Sequence, residues 1–282
     1  MSVKILAHDD VLQMLPNREN TSHKGDFGRV LLLCGSLGYT GAAALAAMGA
    51  LRTGAGLVYL GVPKSIYNIE AIKLTEAIVF PLPERKGRLS AKCIKWISQI
   101  LPSMDAVLIG PGLGHSKGVF ATVRYVLECF QKPVILDADG INVLVDHIDI
   151  LRGRKAPTII TPHAGEFSRF TGACITDRLE NARKLALELG LIVVLKGWHT
   201  VITDGECTYM NETGNPGMAV GGSGDVLAGM IISLIGQGLD PLKASACAVW
   251  LHGAAGDICA AEIGQCGMLP SDMLQVLPRL LK

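Results

Sequence analysis

The chain has 282 residues and a formal net charge of +1, with 49% hydrophobic and 18% charged residues. This composition excludes a disordered protein, and the near-neutral charge argues against a nucleic-acid-binding protein, which normally carries a basic excess. The length suits one large α/β domain or two small ones.

Predicted strands and helices alternate along almost the whole chain. The strands are predicted at 29–35, 57–62, 77–80, 105–110, 133–138, 157–161, 191–196, 200–203 and 207–210. The helices are predicted at 41–54, 64–73, 90–102, 116–130, 140–146, 164–171, 177–189, 225–238, 242–261 and 271–281. Strands that are apolar on both faces and separated by helices predict a parallel sheet covered on both sides.

Two local patterns qualify this picture. Asp204-Gly205 between the last two strands predicts a hairpin, and therefore an antiparallel edge late in the sheet. The short charged run at 84–88 is interpreted as a solvated loop. No linker or repeat divides the sequence, so we expect a single domain over 1–282.

The cysteines and the N-terminus indicate where the protein resides. The eight cysteines include no CxxC pair, which is typical of neither a disulfide framework nor a zinc site, and several are expected to be buried thiols. The first residues lack the apolar core of a signal peptide, and no apolar run is long and unbroken enough to span a bilayer. We therefore expect a cytoplasmic protein without membrane contact.

Polar or glycine-rich turns follow five of the predicted strands. They lie at 35–36, 110–114, 137–140, 161–166 and 196–197. Because open α/β sheets bind ligands beyond the carboxyl ends of their strands, these turns are candidates for one site.

The most informative segment is 214–229, a glycine-rich stretch that leads to Asp225 and an apolar helix. Glycines 221, 222 and 224 allow close approach of the backbone to a ligand, and a helix start offers free amides to a phosphate. Asp225 is either a base beside this anion pocket or a simple helix cap. The spacing fits neither a Walker loop nor a dinucleotide fingerprint.

Other acidic residues at strand ends suggest a metal. Asp137 or Asp139 can hold Mg²⁺ through water, although Asp139 is equally interpretable as a helix cap. His163 and Glu166 are predicted on the exposed side of a first helical turn, where Glu166 would reach a Mg²⁺-bound water or simply favour the helix dipole. No further His or Cys completes a zinc set.

The segment from Lys196 to Thr200 suits a nucleotide. Lys196 ends a strand and would neutralise phosphate charge, while Trp198 would either flank an adenine or pack at the edge of the sheet. His252 is interpreted as a core or interface histidine and not as a ligand.

Taken together, the motifs resemble those of a known family. In order, they are His23-Lys24-Gly25-Asp26-Phe27-Gly28, Gly110-Pro111-Gly112-Leu113-Gly114, Asp137-Ala138-Asp139, Thr161-Pro162-His163-Ala164-Gly165-Glu166 and Gly221-Gly222-Ser223-Gly224-Asp225-Val226-Leu227-Ala228-Gly229. The same order occurs in the ADP/ATP-dependent NAD(P)H-hydrate dehydratases, and the match extends over about residues 5–282. The resemblance implies a ribokinase-like three-layer αβα fold with a mostly parallel sheet.

The resemblance also implies an activity and its residues. The S-epimer of hydrated NADH or NADPH would be phosphorylated by ADP or ATP, and loss of phosphate would restore the reduced nicotinamide. Asp225 would be the base, with the amides around Gly222, Ser223 and Gly224 as an anion hole.

The implied binding residues fall into three groups. The resemblance places Ala42, Gly112, His163 and Asp225 against the hydrate, and we expect Gly114 of the same turn there too. It places Lys196, Gly197, Trp198, His199, Thr200 and Gly224 against the nucleotide. Glu166 and Asp137 would meet Mg²⁺ through water.

The resemblance also implies an oligomeric state and a partner enzyme, and other functions remain as alternatives. It implies a homotetramer, and it implies a separate epimerase for the R-epimer because the chain begins directly with the dehydratase-like part. A stand-alone chain favours ADP over ATP. The alternatives are a vitamin or sugar kinase of the same superfamily, which would stop at phosphorylation, and a catalytically silent nucleotide-binding regulator.

Overall fold

The computed structural model describes residues 3–282, and most of its strands belong to one ten-stranded sheet. The strands are β1 (Lys4–Ile5), β2 (Arg29–Leu33), β3 (Leu57–Pro63), β4 (Ile78–Leu82), β5 (Glu84–Arg85), β6 (Arg88–Leu89), β7 (Ala106–Ile109), β8 (Val134–Leu136), β9 (Thr158–Ile160), β10 (Ile192–Leu195), β11 (Val201–Thr203) and β12 (Thr208–Met210). The helices are α1 (His8–Met14), α2 (Thr40–Arg52), α3 (Tyr67–Lys73), α4 (Ile94–Ile100), α5 (Lys117–Cys129), α6 (Asp139–Asn142), α7 (Ala164–Thr171), α8 (Arg178–Leu189), α9 (Ser223–Gly236), α10 (Pro241–Glu262) and α11 (Pro270–Leu280).

The large sheet has the strand order β1-β12-β11-β10-β9-β8-β7-β2-β3-β4. Strand β11 runs antiparallel to β10 and to β12, and the other pairs are parallel. The predicted hairpin is therefore present, but β1 adds to β12 in parallel and forms the outermost strand on that side.

Both faces of the sheet are covered, as the apolar strands predicted. Successive residues of β2 alternate between two cores: Leu32 faces the helices α1, α2, α9, α10 and α11, whereas Leu31 and Leu33 face α4 to α8. These two cores make the molecule a three-layer αβα structure, which confirms the predicted fold class.

Close packing of α2 on α9 brings their first turns to the same edge of the sheet. A Cβ built on Gly229 of α9 would lie 2.1 Å from the carbonyl oxygen of Ala46 in α2. Only glycine permits this approach. As a result, Ala42 and Ser223, near the starts of the two helices, lie at the carboxyl ends of the parallel strands.

Several elements differ from the prediction. Strand β1, helix α1 and the hairpin of β5 and β6 were not predicted. The interpretation of 84–88 as a loop is wrong, because Lys86 (φ 54°) and Gly87 (φ 73°) form a tight turn between two paired strands. Gly87 packs so closely on Leu37 that its Cβ would lie 2.4 Å from the leucine Cβ.

Two further observations concern burial and length. Cys34, Cys93, Cys247 and Cys259 are buried thiols, as expected for part of the cysteine set. Among residues 3–282, none of the helices combines the length and the apolar character needed to cross a bilayer.

Candidate active site at the carboxyl edge of the sheet

The turns after β7 and β8 pack directly on each other at the carboxyl edge. Gly110 has a φ of 142°, and a Cβ built on it would lie 1.8 Å from the carbonyl oxygen of Asp137. The turn also carries the backbone amide of Gly114, which donates to Asp139 Oδ2 at 2.7 Å. The predicted grouping of these turns is therefore present.

Asp139 does not cap α6. The residue at the cap position is Ala138, in a positive-φ conformation (47°), and Asp139 is the first helical residue. Its carboxylate is turned towards the β7 turn, because Gly114 supplies a donor there. The interpretation of Asp139 as a cap is wrong.

A partly buried lysine joins the turns after β8, β9 and β10. Lys196 Nζ lies 2.8 Å from Asp137 Oδ1 and 3.9 Å from Glu166 Oε2. Burial lowers the pKa of Lys196, but Asp137 and Glu166 outweigh this and raise it above its usual value. The ammonium group is therefore charged at neutral pH and screens two acids from each other.

His163 and Glu166 form a capping box at the start of α7. The His163 ring accepts from the amides of Gly165 and Glu166, and Glu166 Oε2 accepts from the His163 amide at 2.9 Å. His163 is exposed, but Glu166 is buried, so the expectation that both lie on the exposed side is wrong for Glu166. The reciprocal bond turns its side chain back towards the sheet and Lys196.

Helix α9 begins at Ser223, two residues before the predicted start. Gly222 occupies the cap position with a φ of 100°, and no side chain caps the helix. Asp225 is therefore the third helical residue, and its interpretation as a cap is wrong. The Ser223 amide donates to the Val220 carbonyl at 3.3 Å, and the first-turn amides that follow it remain available to an anion.

Asp225 is half-buried among other acids. Burial, and then the carboxylate of Asp137, raise its pKa from 3.8 to about 6, while Lys196 lowers it. The ammonium group of Lys196 reaches the same helix start, because a Cβ built on Gly224 would lie 3.2 Å from its Nζ. A carboxylate of raised basicity thus lies beside a lysine and a set of free amides.

A cavity of about 950 Å³ opens beside this helix start. It is lined by Asp137, His163, Lys196, Gly197, Trp198, His199, Thr200, Gly222, Ser223, Gly224 and Asp225 from the predicted set. Trp198 is 87% exposed and makes an edge-to-face contact with His199 at 4.0 Å, so its packing at the sheet edge is excluded. The cavity offers this indole face to a planar group.

Ala42, Gly112 and Gly114 lie outside the lining of this cavity. Gly112 has a φ of 64°, and its Cβ would lie 2.8 Å from Ala42 Cβ and 3.0 Å from Tyr39 Cβ. The start of α2 and the turn after β7 therefore form one continuous surface, next to the cavity.

Sequence reasoning did not assign two of the contributors to the cavity. Residues 211–219, between β12 and α9, form much of one wall. His252 is buried, as expected for a core histidine, but its Nε2 also lies 3.0 Å from the Ser223 carbonyl oxygen. Only the Gly-Asn-Pro-Gly sequence at 214–217 pointed to the wall of residues 211–219, and no local sequence pattern pointed to His252.

The fold and the site together define a ribokinase-like protein: a three-layer sheet whose carboxyl edge carries a helix start with free amides, a carboxylate and a lysine. A family model described as NAD(P)H-hydrate dehydratase matches residues 30–279. The chain belongs to the NAD(P)H-hydrate dehydratase family.

Three relatives illustrate the match. A bifunctional NAD(P)H-hydrate repair enzyme of Moorella thermoacetica is 45% identical over 275 residues, which cover 95% of this chain and 52% of that protein. The ADP-dependent (S)-NAD(P)H-hydrate dehydratase of Bacillus subtilis is 37% identical over 288 residues, covering 100% of this chain and 99% of that one. The crystal structure of the ADP/ATP-dependent NAD(P)H-hydrate dehydratase from Bacillus subtilis, co-crystallised with ATP/Mg²⁺, is 34% identical with a TM-score of 0.85, covering 99% and 98% of the two chains. The chain spans about half the length of the bifunctional relatives it matches.

Proposed function

We propose that this chain catalyses the nucleotide-dependent dehydration of the S-epimer of NAD(P)H hydrate to NAD(P)H. The observation that carries the proposal is Asp225, a carboxylate of raised pKa at a helix start with free amides, beside Lys196. Membership of the dehydratase family supports the choice of substrate, and the Bacillus subtilis relative of the same length is named for the S-epimer.

The reaction is a phosphoryl transfer followed by an elimination. Asp225 takes the proton of the hydrate hydroxyl, and the oxygen attacks the terminal phosphorus of ADP or ATP, displacing AMP or ADP. The C–O bond then breaks and the electron pair leaves with phosphate, while the adjacent ring carbon loses a proton and the double bond forms. A hydroxyl is a poor leaving group and phosphate a good one, so the first step makes the second feasible.

The start of α9 and Lys196 stabilise the transferring group. The amides of Gly222, Ser223 and Gly224 carry the helix dipole's positive end, and Lys196 adds a full charge beside Gly224. Both act on charge that develops on the phosphoryl oxygens. With a pKa of about 6, Asp225 is ionised at neutral pH and is still basic enough to accept the proton.

The remaining cavity suits the nucleotide. The indole of Trp198 faces the cavity and offers a stacking surface for the base, and Gly197, His199 and Thr200 complete this wall. The hydrate then approaches from the adjoining surface of Ala42, Gly112 and Gly114, and exposed His163 lines the cavity.

The acids at the carboxyl edge fit a hydrated Mg²⁺. Among residues 3–282 no group of three His, Cys, Asp or Glu side chains forms a metal site. Asp137 Oδ1 and Glu166 Oε2 already accept protein hydrogen bonds, which leaves one oxygen on each for metal-bound water. Mg²⁺ retains water readily and would neutralise phosphate charge.

Regeneration of the reduced cofactor tests the proposal. The purified chain is incubated with (S)-hydrate, Mg²⁺ and either ADP or ATP in parallel, and the reduced-nicotinamide absorption band is followed. Recovery of the band that requires nucleotide is the expected result, with ADP the more effective donor. Turnover of a vitamin or sugar alcohol without recovery of the band would identify a kinase instead.

The assembly follows the same family resemblance, and a homotetramer is our expectation. Sedimentation equilibrium of the purified chain measures it directly. A monomer at micromolar concentration would contradict this part of the proposal.

A further inference from the structure

One face of α10 contacts two separate walls of the nucleotide cavity. His252, Gly253, Gly256 and Asp257 lie within one and a half turns of this helix. His252 and Gly256 are four residues apart, as are Gly253 and Asp257, and residues at that spacing share a side of a helix. We call residues 211–219 the cavity loop, and this loop and the start of α9 are the two walls concerned.

Asp257 binds the cavity loop with both carboxylate oxygens. Its Oδ2 accepts from the Gly214 amide at 2.8 Å, and its Oδ1 accepts from Asn215 Nδ2 at 3.0 Å. Asn215 in turn accepts from the Gly217 amide at 3.0 Å. One side chain of α10 thus binds two successive residues of the loop directly and a third loop position through Asn215.

The two glycines of this face let the loop lie directly on the helix. A Cβ built on Gly253 would lie 2.2 Å from Thr213 Oγ1, and one on Gly256 would lie 2.4 Å from Met218 Sδ. The Thr213 hydroxyl also donates to the carbonyl of Trp250 at 2.9 Å. No side chain larger than hydrogen fits between helix and loop at these two positions.

His252 binds the other wall. Its Nε2 lies 3.0 Å from the carbonyl oxygen of Ser223, the first residue of α9. A carbonyl only accepts, so Nε2 carries the hydrogen and donates it. The imidazole is buried and thereby attaches the anion hole to the same helix that holds the cavity loop.

We propose that this face of α10 positions the nucleotide by holding the cavity loop through Asp257 and the anion hole through His252. The inference rests on the proposed function, because it assigns these two residues to the nucleotide of that reaction. Asp257 acts on the wall that encloses the nucleotide, so it governs affinity. His252 acts on the amides at the transferring group, so it governs turnover.

The affinity arm compares Asp257→Ala and Asp257→Asn with Asp240→Ala. Asp240 caps α10 by accepting from the Lys243 amide at 3.1 Å, about 25 Å along the helix from Asp257 at 1.5 Å per residue. Asp257 and Asp240 each accept a hydrogen bond from a backbone amide, so Asp240→Ala controls for the loss of stability that removal of such a bond causes. Calorimetric titration with ATP and Mg²⁺, without hydrate, measures the affinity.

The expected results are graded. Asp257→Ala weakens ATP binding roughly ten- to hundredfold, because two hydrogen bonds to a charged group are lost. Asp257→Asn, which keeps one acceptor, lies between Ala and the wild type. Unchanged affinity in Asp257→Ala, or equal weakening in Asp240→Ala, overturns the inference while the proposed function stands. Absence of binding of both ATP and ADP by the wild type overturns both.

The turnover arm compares His252→Ala with His252→Gln. We expect His252→Ala to lower kcat roughly tenfold. Glutamine retains an N–H donor that can reach the Ser223 carbonyl, so His252→Gln should keep much of the wild-type kcat. The ATP Kd should be unchanged in both variants. A glutamine variant no better than alanine, or a kcat equal to the wild type in both, overturns the role of His252.

Discussion

Replacing Asp225 by Asn should lower turnover by orders of magnitude and at the same time stabilise the fold. The side chain is half-buried, and burial together with the acids Asp137, Asp139 and Glu166 raises its pKa from 3.8 to about 6. An ionised carboxylate in such surroundings costs free energy that a neutral amide of the same shape does not. Proteins commonly carry this kind of destabilisation at a functional site.

The expected gain in stability follows from the pKa shift of Asp225. A folded-state pKa raised above the unfolded value makes the folded protein favoured at low pH, and this advantage is lost as the pH rises through 6. With 3.8 and about 6 as the two values, the ionised group costs about 3 kcal/mol at pH 8 and about half as much at pH 5. For a domain of this length, 3 kcal/mol corresponds to a Tm change of about 5 °C.

The assay combines thermal unfolding with turnover. We expect Asp225→Asn to raise the Tm at pH 8, with the gain roughly halved at pH 5, and to lower kcat by about 10²–10⁴-fold while hydrate still binds. Wild-type turnover should fall to half near pH 6 on the acid side. Asp149→Asn, at an exposed ion pair with Arg152, is the control and should change neither quantity.

Two results would refute this reasoning. A lower Tm for Asp225→Asn at pH 8 would show that the carboxylate is stabilised, not strained, by its surroundings. Near-normal turnover of the variant would show that another group takes the proton.

Three other substitutions test separate parts of the site. Trp198→Ala should weaken nucleotide binding about tenfold in a calorimetric titration, the order expected for loss of one aromatic–base stack. The control Trp96→Ala, at an exposed position on α4, should bind the nucleotide like the wild type. Equal affinities of the two variants would exclude the stacking role. Lys196→Met should move the acid limb of the pH–rate profile to higher pH, because the ammonium group lowers the pKa of the catalytic carboxylate, and an unmoved limb would disprove the contact. Gly229→Ala should lower stability by about 1–3 kcal/mol in denaturant unfolding, since its Cβ would lie 2.1 Å from the α2 backbone. Gly41→Ala, a helical glycine with open space around it, is the matched control, and a similar loss there would remove the packing explanation.

The fold was predictable where sequence patterns repeat over several residues. The buried parallel strands and the helices between them produce such patterns, and the turns at their carboxyl ends carry glycines and acids that mark the edge. The hairpin of β5 and β6 has two residues in each strand, too few for any alternation. Its position is set by tertiary contacts instead, such as Glu84 Oε2 accepting from the Ser65 amide at 2.9 Å.

The sequence indicated many of the residues that lie at the candidate site but not which of them contact each other. The sequence singles out Lys196 and Asp137 separately, although they are 59 residues apart and form the central ion pair. It misplaced Glu166 on the exposed side, because the sequence gives no sign that the side chain turns back to cap His163. Asp257 was missed because its partner Gly214 lies 43 residues away.

The central claim is that phosphorylation of the hydrate serves elimination. Its most direct measurement follows NAD(P)H formation and inorganic phosphate release together, in one reaction of the wild-type chain with (S)-hydrate, nucleotide and Mg²⁺. The account predicts one phosphate released for each NAD(P)H formed, and neither product without nucleotide. Nucleotide consumption that leaves a stable phosphorylated compound and no NAD(P)H would contradict it.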